Sequence, residues 1–138
     1  MEHLPSWLLT QTAAHAGRLV TDRFAEIGAR GYHYRLLETL LGGPDSQAEL
    51  GRRTGIHLSD MVAVLNELTA DGYVERSPDP ADKRRNVVTI TGRGRERAQE
   101  LAARAEAIQD ELLAPLTTAE RAELVRLLSL LRKGAAPA

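Results

Sequence analysis

The sequence predicts one domain that is mainly α-helical and contains a small β-hairpin. Aliphatic residues recur at helical spacing along most of the 138-residue chain, which indicates several amphipathic helices. Only 4% of the residues are aromatic, so the core must consist mainly of aliphatic side chains that favour helices. Residues 73–76 and 86–90 are rich in β-branched or aromatic side chains and flank a turn that contains Pro78 and Pro80. Because these prolines cannot continue a helix, the pattern predicts a hairpin.

The first two helices are predicted from their end signals. Pro5 suits the first turn of a helix that runs to about residue 27, and Gly28 and Gly31 can end it. A second helix is predicted over residues 34–41, where the following Gly-Gly-Pro sequence closes it.

A short third helix and a longer fourth helix follow, joined through Gly55. Ser46 and Glu49 have the spacing of a capping box at the start of the third helix. The fourth helix is predicted over residues 58–70. Its apolar side chains at i, i+3, i+4 and i+7 should face inward, and these are Met61, Val64, Leu65 and Leu68. Two short helices followed by a basic hairpin make a winged helix-turn-helix, which we assign to residues 34–91.

Two further helices are predicted after the hairpin. Thr91 can cap a long fifth helix, and Thr117 with Glu120 can form the capping box of a sixth. The terminal residues 134–138 are expected to fray.

The first, fifth and sixth helices are too apolar for a lone winged module. In a monomer they would leave a long apolar stripe exposed, and pairing of two chains removes it. Within a single domain over residues 1–138, we therefore expect residues 1–30 and 93–134 to form dimerisation helices.

Positive charge is concentrated at the hairpin although the whole chain has a net charge of −1. Residues 76–97 contain seven basic and three acidic side chains, which gives that segment a net charge of +4. Such asymmetry can direct a polyanion to one face of a nearly neutral protein. The tip of the hairpin exposes Lys83, Arg84 and Arg85, and a projecting cationic finger beside a helical module suits a DNA minor groove.

Several other classes of protein are disfavoured by the composition. The absence of cysteine excludes disulfides, thiolate chemistry and cysteine-ligated zinc. No apolar run approaches the ~20 residues of a membrane span and no signal-peptide pattern is visible, so we expect a cytoplasmic protein. The four histidines have no compelling metal-ligand spacing, and Gly92-Arg93-Gly94-Arg95 lacks the pattern of a nucleotide-binding loop. We expect neither a cofactor nor enzymatic activity.

The chain resembles the MarR family of bacterial transcription regulators over nearly its whole length. The specific pieces are residues 68–76 (Leu-Thr-Ala-Asp-Gly-Tyr-Val-Glu-Arg) and residues 82–84 (Asp-Lys-Arg), followed by Thr91. The family pattern has a Leu, three variable residues, a Gly, an apolar pair and an Arg, then Asp-Arg-Arg and Leu-Thr-x-x-Gly. Lys83 replaces the first Arg of that pattern, and Ile90 replaces the Leu.

This resemblance implies a homodimeric transcription regulator, most often a repressor, that binds a pseudo-palindromic operator in double-stranded DNA. Arg84 would enter the minor groove from the hairpin tip, and Asp82 would orient that loop by pairing with a neighbouring arginine. The fourth helix would lie in the major groove, and in a palindrome the two such helices would sit roughly 34 Å apart. A small ligand could change the spacing of the two DNA-binding lobes.

Most predicted DNA contacts have an alternative explanation. Asp60 could accept a hydrogen bond from cytosine N4 or simply stabilise the helix dipole, and Glu67 on the predicted exposed face would repel phosphate. Arg52 and Arg53 could contact phosphates or be solvated, and Arg76 could support the wing or pair with Glu75 or Asp79. Val62 or Ala63 could touch a thymine methyl group. The candidate DNA-binding residues are Arg52, His57, Ser59, Asp60, Val62, Ala63, Asn66, Arg76, Asp82, Lys83, Arg84 and Arg85.

The resemblance also implies a small aromatic or phenolic effector between the dimerisation helices and the DNA-binding lobe. Candidate ligand-binding residues are Trp7, His15, Tyr32, His33, Tyr34 and Arg35, which could equally be ordinary interface and core residues. Two other functions remain open from the sequence: a winged helix that binds proteins, and a dedicated metal or metabolite sensor.

Overall fold

Six α-helices and three short β-strands form the chain over residues 1–135, the part that the computed structural model describes. The predicted fold class, mainly α with a small β-hairpin and the element order of a winged helix-turn-helix, is confirmed. In chain order the elements are α1 (Pro5–Ala25), α2 (Gly31–Leu40), β1 (Asp45–Ser46), α3 (Gln47–Thr54), α4 (Leu58–Ala70), β2 (Val74–Pro78), β3 (Asn86–Ile90), α5 (Gly92–Leu112) and α6 (Thr118–Ala135).

Helix α2 begins earlier than its predicted start at residue 34. The side chain of His33 accepts a hydrogen bond from the Arg30 backbone N–H through Nδ1, at 3.3 Å. This bond satisfies an amide that has no partner within the helix, so the first turn closes at Gly31. Gly31 therefore starts α2 and does not end α1, whereas Gly28 turns the chain as predicted, at a φ of 67°.

The hairpin belongs to a three-stranded antiparallel sheet in the order β1-β3-β2. Strands β2 and β3 pair from Val74 opposite Ile90 to Pro78 opposite Asn86, as the sequence predicts. Strand β1 was not predicted, since it has only two residues and neither Asp45 nor Ser46 favours strands. Its pairing with β3 joins the hairpin to the start of α3.

The predicted helix caps form to different extents. Thr117 and Glu120 make a complete capping box: the Thr117 N–H donates to the Glu120 carboxylate at 2.9 Å, and the Glu120 N–H donates to the Thr117 hydroxyl at 3.2 Å. At α3 only half of the box is present. The Ser46 hydroxyl accepts the Glu49 N–H at 3.2 Å, but the Glu49 carboxylate binds Arg52 instead of the Ser46 backbone.

The core lies between α2, α4, the sheet and the side of α5 that carries Ala98, Leu101 and Ile108. The four predicted inward residues of α4 are all buried, and they pack in one cluster with three leucines of α2. Leu101 and Ile108 of α5 join the same core, so this part of α5 is covered by its own chain. The core leucines of α2 are Leu36, Leu37 and Leu40.

Helix α6 presents apolar side chains that nothing in residues 1–135 covers. The exposed ones are Val125, Leu127, Leu128, Leu130 and Leu131. The helix includes Gly134 and Ala135, so the fraying predicted for these two residues is wrong, and residues 136–138 lie outside the described range. None of the described helices is long and apolar enough to cross a membrane.

Gly94, in the first turn of α5, allows the helix to approach the hairpin closely. A Cβ atom there would clash with the Tyr73 carbonyl oxygen and would lie 2.8 Å from Cγ1 of Ile90. We therefore expect Gly94→Ala to lower the free energy of unfolding by about 2–3 kcal/mol in chemical denaturation, because backbone must move to accept the methyl group.

Gly92→Ala is the matched control in the same turn, since a Cβ at Gly92 meets nothing within 4 Å. Alanine has a higher helix propensity than glycine, so this variant should have the same free energy of unfolding as the wild type or a slightly higher one. Equal losses in the two variants would contradict the close approach.

Candidate nucleic-acid interface

The buried face of α4 determines which of its residues face solvent. Gly55 adopts the left-handed conformation, at a φ of 70°, and turns the chain between α3 and α4. With Met61, Val64, Leu65 and Leu68 packed inward, the opposite side of the helix is left free. Six predicted DNA-binding residues are exposed in this helix or directly before it, namely His57, Ser59, Asp60, Val62, Ala63 and Asn66.

Arg76 on β2 contacts the exposed face of α4. Its Nη2 donates a hydrogen bond to the Asn66 side-chain oxygen at 2.8 Å. Of the two alternatives for Arg76, this contact supports the wing, and Arg76 is paired with neither Glu75 nor Asp79 in the described residues. The contact joins the hairpin to α4 through the Asn66 oxygen and leaves the amide N–H groups of Asn66 free of this bond.

Glu67 lies on the other edge of α4, turned toward α2 rather than fully outward as predicted. Its carboxylate bonds to Nε2 of His33 at 2.6 Å and to Nη2 of Arg30 at 2.8 Å. Burial raises the pKa of Glu67. The hydrogen bond from His33 and the charge of Arg30 lower this pKa by a larger amount, so it lies below its ordinary value of 4.5. These contacts therefore stabilise the fold above that pH and are lost as the pH falls through the folded-state pKa.

His33, a ligand-binding candidate from the sequence, belongs to this network and lines neither of the two hollows described below. Its side chain is buried between α2 and α4. Nδ1 accepts the Arg30 N–H, so the neutral ring carries its proton on Nε2 and donates it to Glu67. Within residues 1–135 no group of three potential metal ligands occurs.

The hairpin tip is held by its own acidic residues. Oδ1 of Asp82 accepts hydrogen bonds from the backbone N–H of Arg84 at 3.1 Å and from its Nε at 3.2 Å. The Asp79 carboxylate accepts the Ala81 N–H at 2.9 Å, and the Asp79 N–H donates to the Arg85 carbonyl at 2.8 Å. The Arg84 side chain is nevertheless 91% exposed. The carboxylates therefore restrain the loop, and the Arg84 guanidinium at its tip faces solvent.

The two arginines late in α3 are partly neutralised. Arg52 pairs with Glu49 one turn earlier, and Arg53 pairs with Asp45 of β1 at 2.7 Å. Both remain exposed at the surface. Each guanidinium has further N–H groups, so a phosphate contact would compete with these pairs or share the side chain.

A cleft of about 300 Å³ brings the hairpin and the helix-turn-helix together. The start of α3 forms one side and the end of the hairpin forms the other. The cleft is lined by Ser46, Gln47, Ala48, Leu58, Arg84, Arg85 and Asn86. Leu58 was not among the predicted site residues, although its position four residues before Val62 places the two on one side of a helix.

A separate groove runs between α1 and α2, with a volume of about 670 Å³. Tyr32, Arg35 and Arg30 line it, and the two guanidinium groups lie 5.5 Å and 6.0 Å from the centre of the Tyr32 ring. A second hollow of about 500 Å³ shares Arg35 and includes Tyr34. Of the predicted ligand-binding residues, Tyr32, Tyr34 and Arg35 thus lie together.

Trp7 and His15 line neither hollow. Trp7 is half-buried near the start of α1, and His15 is exposed. The sequence missed Arg30, because nothing local relates it to Glu67, which lies 37 residues away.

Comparison with known proteins identifies relatives for the whole arrangement. A model of the MarR family matches residues 27–85. The transcriptional repressor NicR of Pseudomonas putida is 34% identical over 91 residues, which cover 66% of this chain and 56% of that protein. The chain therefore spans little more than half the length of this curated relative.

Solved structures match over almost the full length. A probable transcriptional regulator from Pseudomonas aeruginosa is 30% identical, with 94% of this chain and 98% of that chain covered and a TM-score of 0.82. The structure of BpsR from Bordetella bronchiseptica concerns regulation of its DNA binding by 6-hydroxynicotinic acid. It is 25% identical, with 99% and 97% coverage and a TM-score of 0.83.

Proposed function

The chain belongs to the MarR family of DNA-binding transcription regulators, and from this membership we propose that it is a homodimeric repressor of a pseudo-palindromic operator. The observation that carries the proposal is the position of Arg84. Its guanidinium is exposed at the hairpin tip, Asp82 orients it, and the same cleft includes the first residue of α4. A narrow minor groove has an enhanced negative potential that attracts such a side chain.

In this proposal α4 lies in the major groove while the wing follows the adjacent minor groove. The outward residues of α4 would face base edges, and Lys83 and Arg85 would lie near phosphates. Arg52 and Arg53 could contribute further phosphate contacts through the N–H groups that their intramolecular pairs leave free. Binding of chromosomal DNA is consistent with a cytoplasmic location.

Dimerisation is proposed from the apolar surface of the terminal helices. Five aliphatic residues of α6 are exposed, and Leu4, Leu8 and Leu9 add exposed apolar surface at the N-terminus. Such a surface is unfavourable in water, and a second copy of the chain can cover it through a two-fold interface. We propose that residues 1–30 and 93–134 form this interface, while residues 34–91 form the DNA-binding lobe.

We propose further that a small aromatic acid acts as effector in the groove between α1 and α2. Arg35 can pair with a carboxylate, while the Tyr32 ring offers an aromatic face. NicR is named a repressor, and BpsR responds to 6-hydroxynicotinic acid, which supports a ligand of this class. The acid can regulate binding only if it favours one arrangement of the two lobes over the other.

Removal of the Arg84 guanidinium tests the DNA-binding role. An operator is first selected from a pool of random duplexes, and we expect an inverted repeat with half-sites roughly 34 Å apart. On that operator Arg84→Ala should lower the affinity at least about tenfold in fluorescence anisotropy, because a minor-groove contact is lost.

Arg95→Ala is the charge-matched control. It removes one exposed cation from the first turns of α5, outside the hairpin. Its effect on affinity should be much smaller than that of Arg84→Ala. Equal effects would indicate that only net charge matters, and failure to select any duplex would exclude the proposed function.

A charge within the apolar stripe of α6 tests dimerisation. We expect wild-type protein to have about twice the 15.1 kDa chain mass in light scattering, and Leu128→Glu to have the mass of one chain. The variant should also lose operator affinity, because one lobe can bind only half of a palindrome. Leu41→Glu, at an exposed leucine outside residues 1–30 and 93–134, is the control and should remain dimeric. A wild-type mass of one chain would contradict the interface.

Titration with 6-hydroxynicotinic acid and with benzoate tests the effector role. An active acid should weaken operator binding about fivefold or more, which is the lower end of ordinary coupling between two sites. In Arg35→Ala the ratio of affinities with and without acid should approach one, whereas Arg18→Ala, an exposed arginine of α1, should keep the wild-type ratio. Benzamide, which lacks the carboxylate, should have no effect. If both acids leave operator binding unchanged at saturating concentration, this class of effector is wrong.

A further inference from the structure

We propose that Leu58 and Val62 determine operator sequence by contacting thymine methyl groups in the major groove. This inference rests on the proposed function, since it concerns what α4 recognises once it lies on DNA. Two large apolar side chains of α4 face solvent: Leu58 is 70% exposed and Val62 is 42% exposed.

The two side chains lie on one side of the helix. They are four residues apart, so they are neighbours along the helix surface near its N-terminal end. Leu58 also lines the cleft that contains Arg84 and Arg85, which places this apolar edge next to the proposed DNA-contacting wing. Ala63 is exposed beside Val62 and adds no polar group.

The polar side chains of α4 offer few groups for base recognition. Intramolecular contacts occupy two of them, because the Asn66 oxygen accepts from Arg76 and the Glu67 carboxylate binds Arg30 and His33. No lysine or arginine occurs between residues 58 and 70. The helix therefore lacks the bidentate donors that most often recognise guanine O6 and N7.

Thymine is the base that an apolar edge can recognise in this groove. Its C5-methyl group is the one apolar feature that the four base pairs present in the major groove, and leucine and valine can cover it. Burial of one methyl group is equivalent to a change of about fourfold in affinity. Two half-sites double the number of such contacts, so the effect on an inverted repeat is multiplied.

The wing is compatible with the same base composition. Tracts of A·T pairs have a narrow minor groove, which strengthens the attraction of Arg84. An operator with thymines under α4 and A·T pairs under the wing would satisfy both contacts.

Replacement of single thymines by deoxyuridine tests the inference, because deoxyuridine lacks only the C5-methyl group and pairs in the same way. The probe is the duplex selected from the random pool, with each thymine replaced in turn. For wild-type protein we expect at least one thymine per half-site at which deoxyuridine lowers affinity about three- to fivefold. Leu58→Ala or Val62→Ala should be insensitive to deoxyuridine at that thymine, and circular dichroism would show that these exposed positions leave the fold intact.

Arg84→Ala is the control for a contact elsewhere on the DNA. It should bind more weakly, yet it should retain the full wild-type penalty for deoxyuridine at the same thymine. Operator binding that no deoxyuridine changes would overturn the inference and leave the proposed function in place. An equal penalty in wild type and in both apolar variants would also overturn it, since the methyl group would then act through DNA shape. Failure to select any duplex from the random pool would overturn both proposals.

Discussion

The position of α4 depends on contacts along three of its sides. Four apolar residues bury one face in the core, Arg76 bonds to Asn66 on the side of the hairpin, and Arg30 with His33 bonds to Glu67 on the side of α2. The apolar face alone would permit small rotations about the helix axis. The hydrogen bonds on opposite edges restrict that rotation, so the remaining surface of the helix has a defined direction.

The hairpin is joined to the same unit at its base and along its length. At its base, Gly94 brings the start of α5 against the Tyr73 carbonyl, and Thr91 bonds to the Gly72 carbonyl at 2.6 Å through its hydroxyl. Along its length, β3 pairs with β1, which leads directly into α3. The exposed tip therefore projects from a support that includes α3, α4 and α5, and Asp82 bonds to the arginine at its end. A surface that must match a rigid duplex benefits from this restraint, because less conformational entropy is lost on binding.

The sequence predicted the features that depend on local chemistry. The inward face of α4 follows from helical periodicity, the hairpin from its β-branched runs and prolines, and the caps at Thr91 and Thr117 from side chains three residues from the amides they bind. The features it missed depend on contacts between distant residues. Strand β1 exists only because β3 lies beside it, and the partners of Glu67 come from a helix 34 to 37 residues earlier. For the same reason, the sequence could not show that two side chains of the predicted exposed face bond within the protein: Glu67 lies beside Arg30 and His33, and Asn66, although exposed, lies beside the hairpin.

These long-range contacts leave the exposed cations on the wing and an apolar surface on α4. Lys83, Arg84 and Arg85 lie at the hairpin tip, where Arg84 pairs with Asp82. In contrast, α4 offers an apolar edge, the Ser59 hydroxyl, the Asp60 carboxylate and the amide N–H groups of Asn66. Attraction to phosphate depends on the cations of the hairpin tip and weakens as salt rises, because each neutralised phosphate releases counterions. Methyl contacts and short hydrogen bonds depend little on salt. A protein with this division can therefore lose affinity for all DNA as ionic strength rises while the ratio between its operator and other sequences changes much less. Because the whole chain has a net charge of −1, residues outside the hairpin segment add no general attraction to DNA.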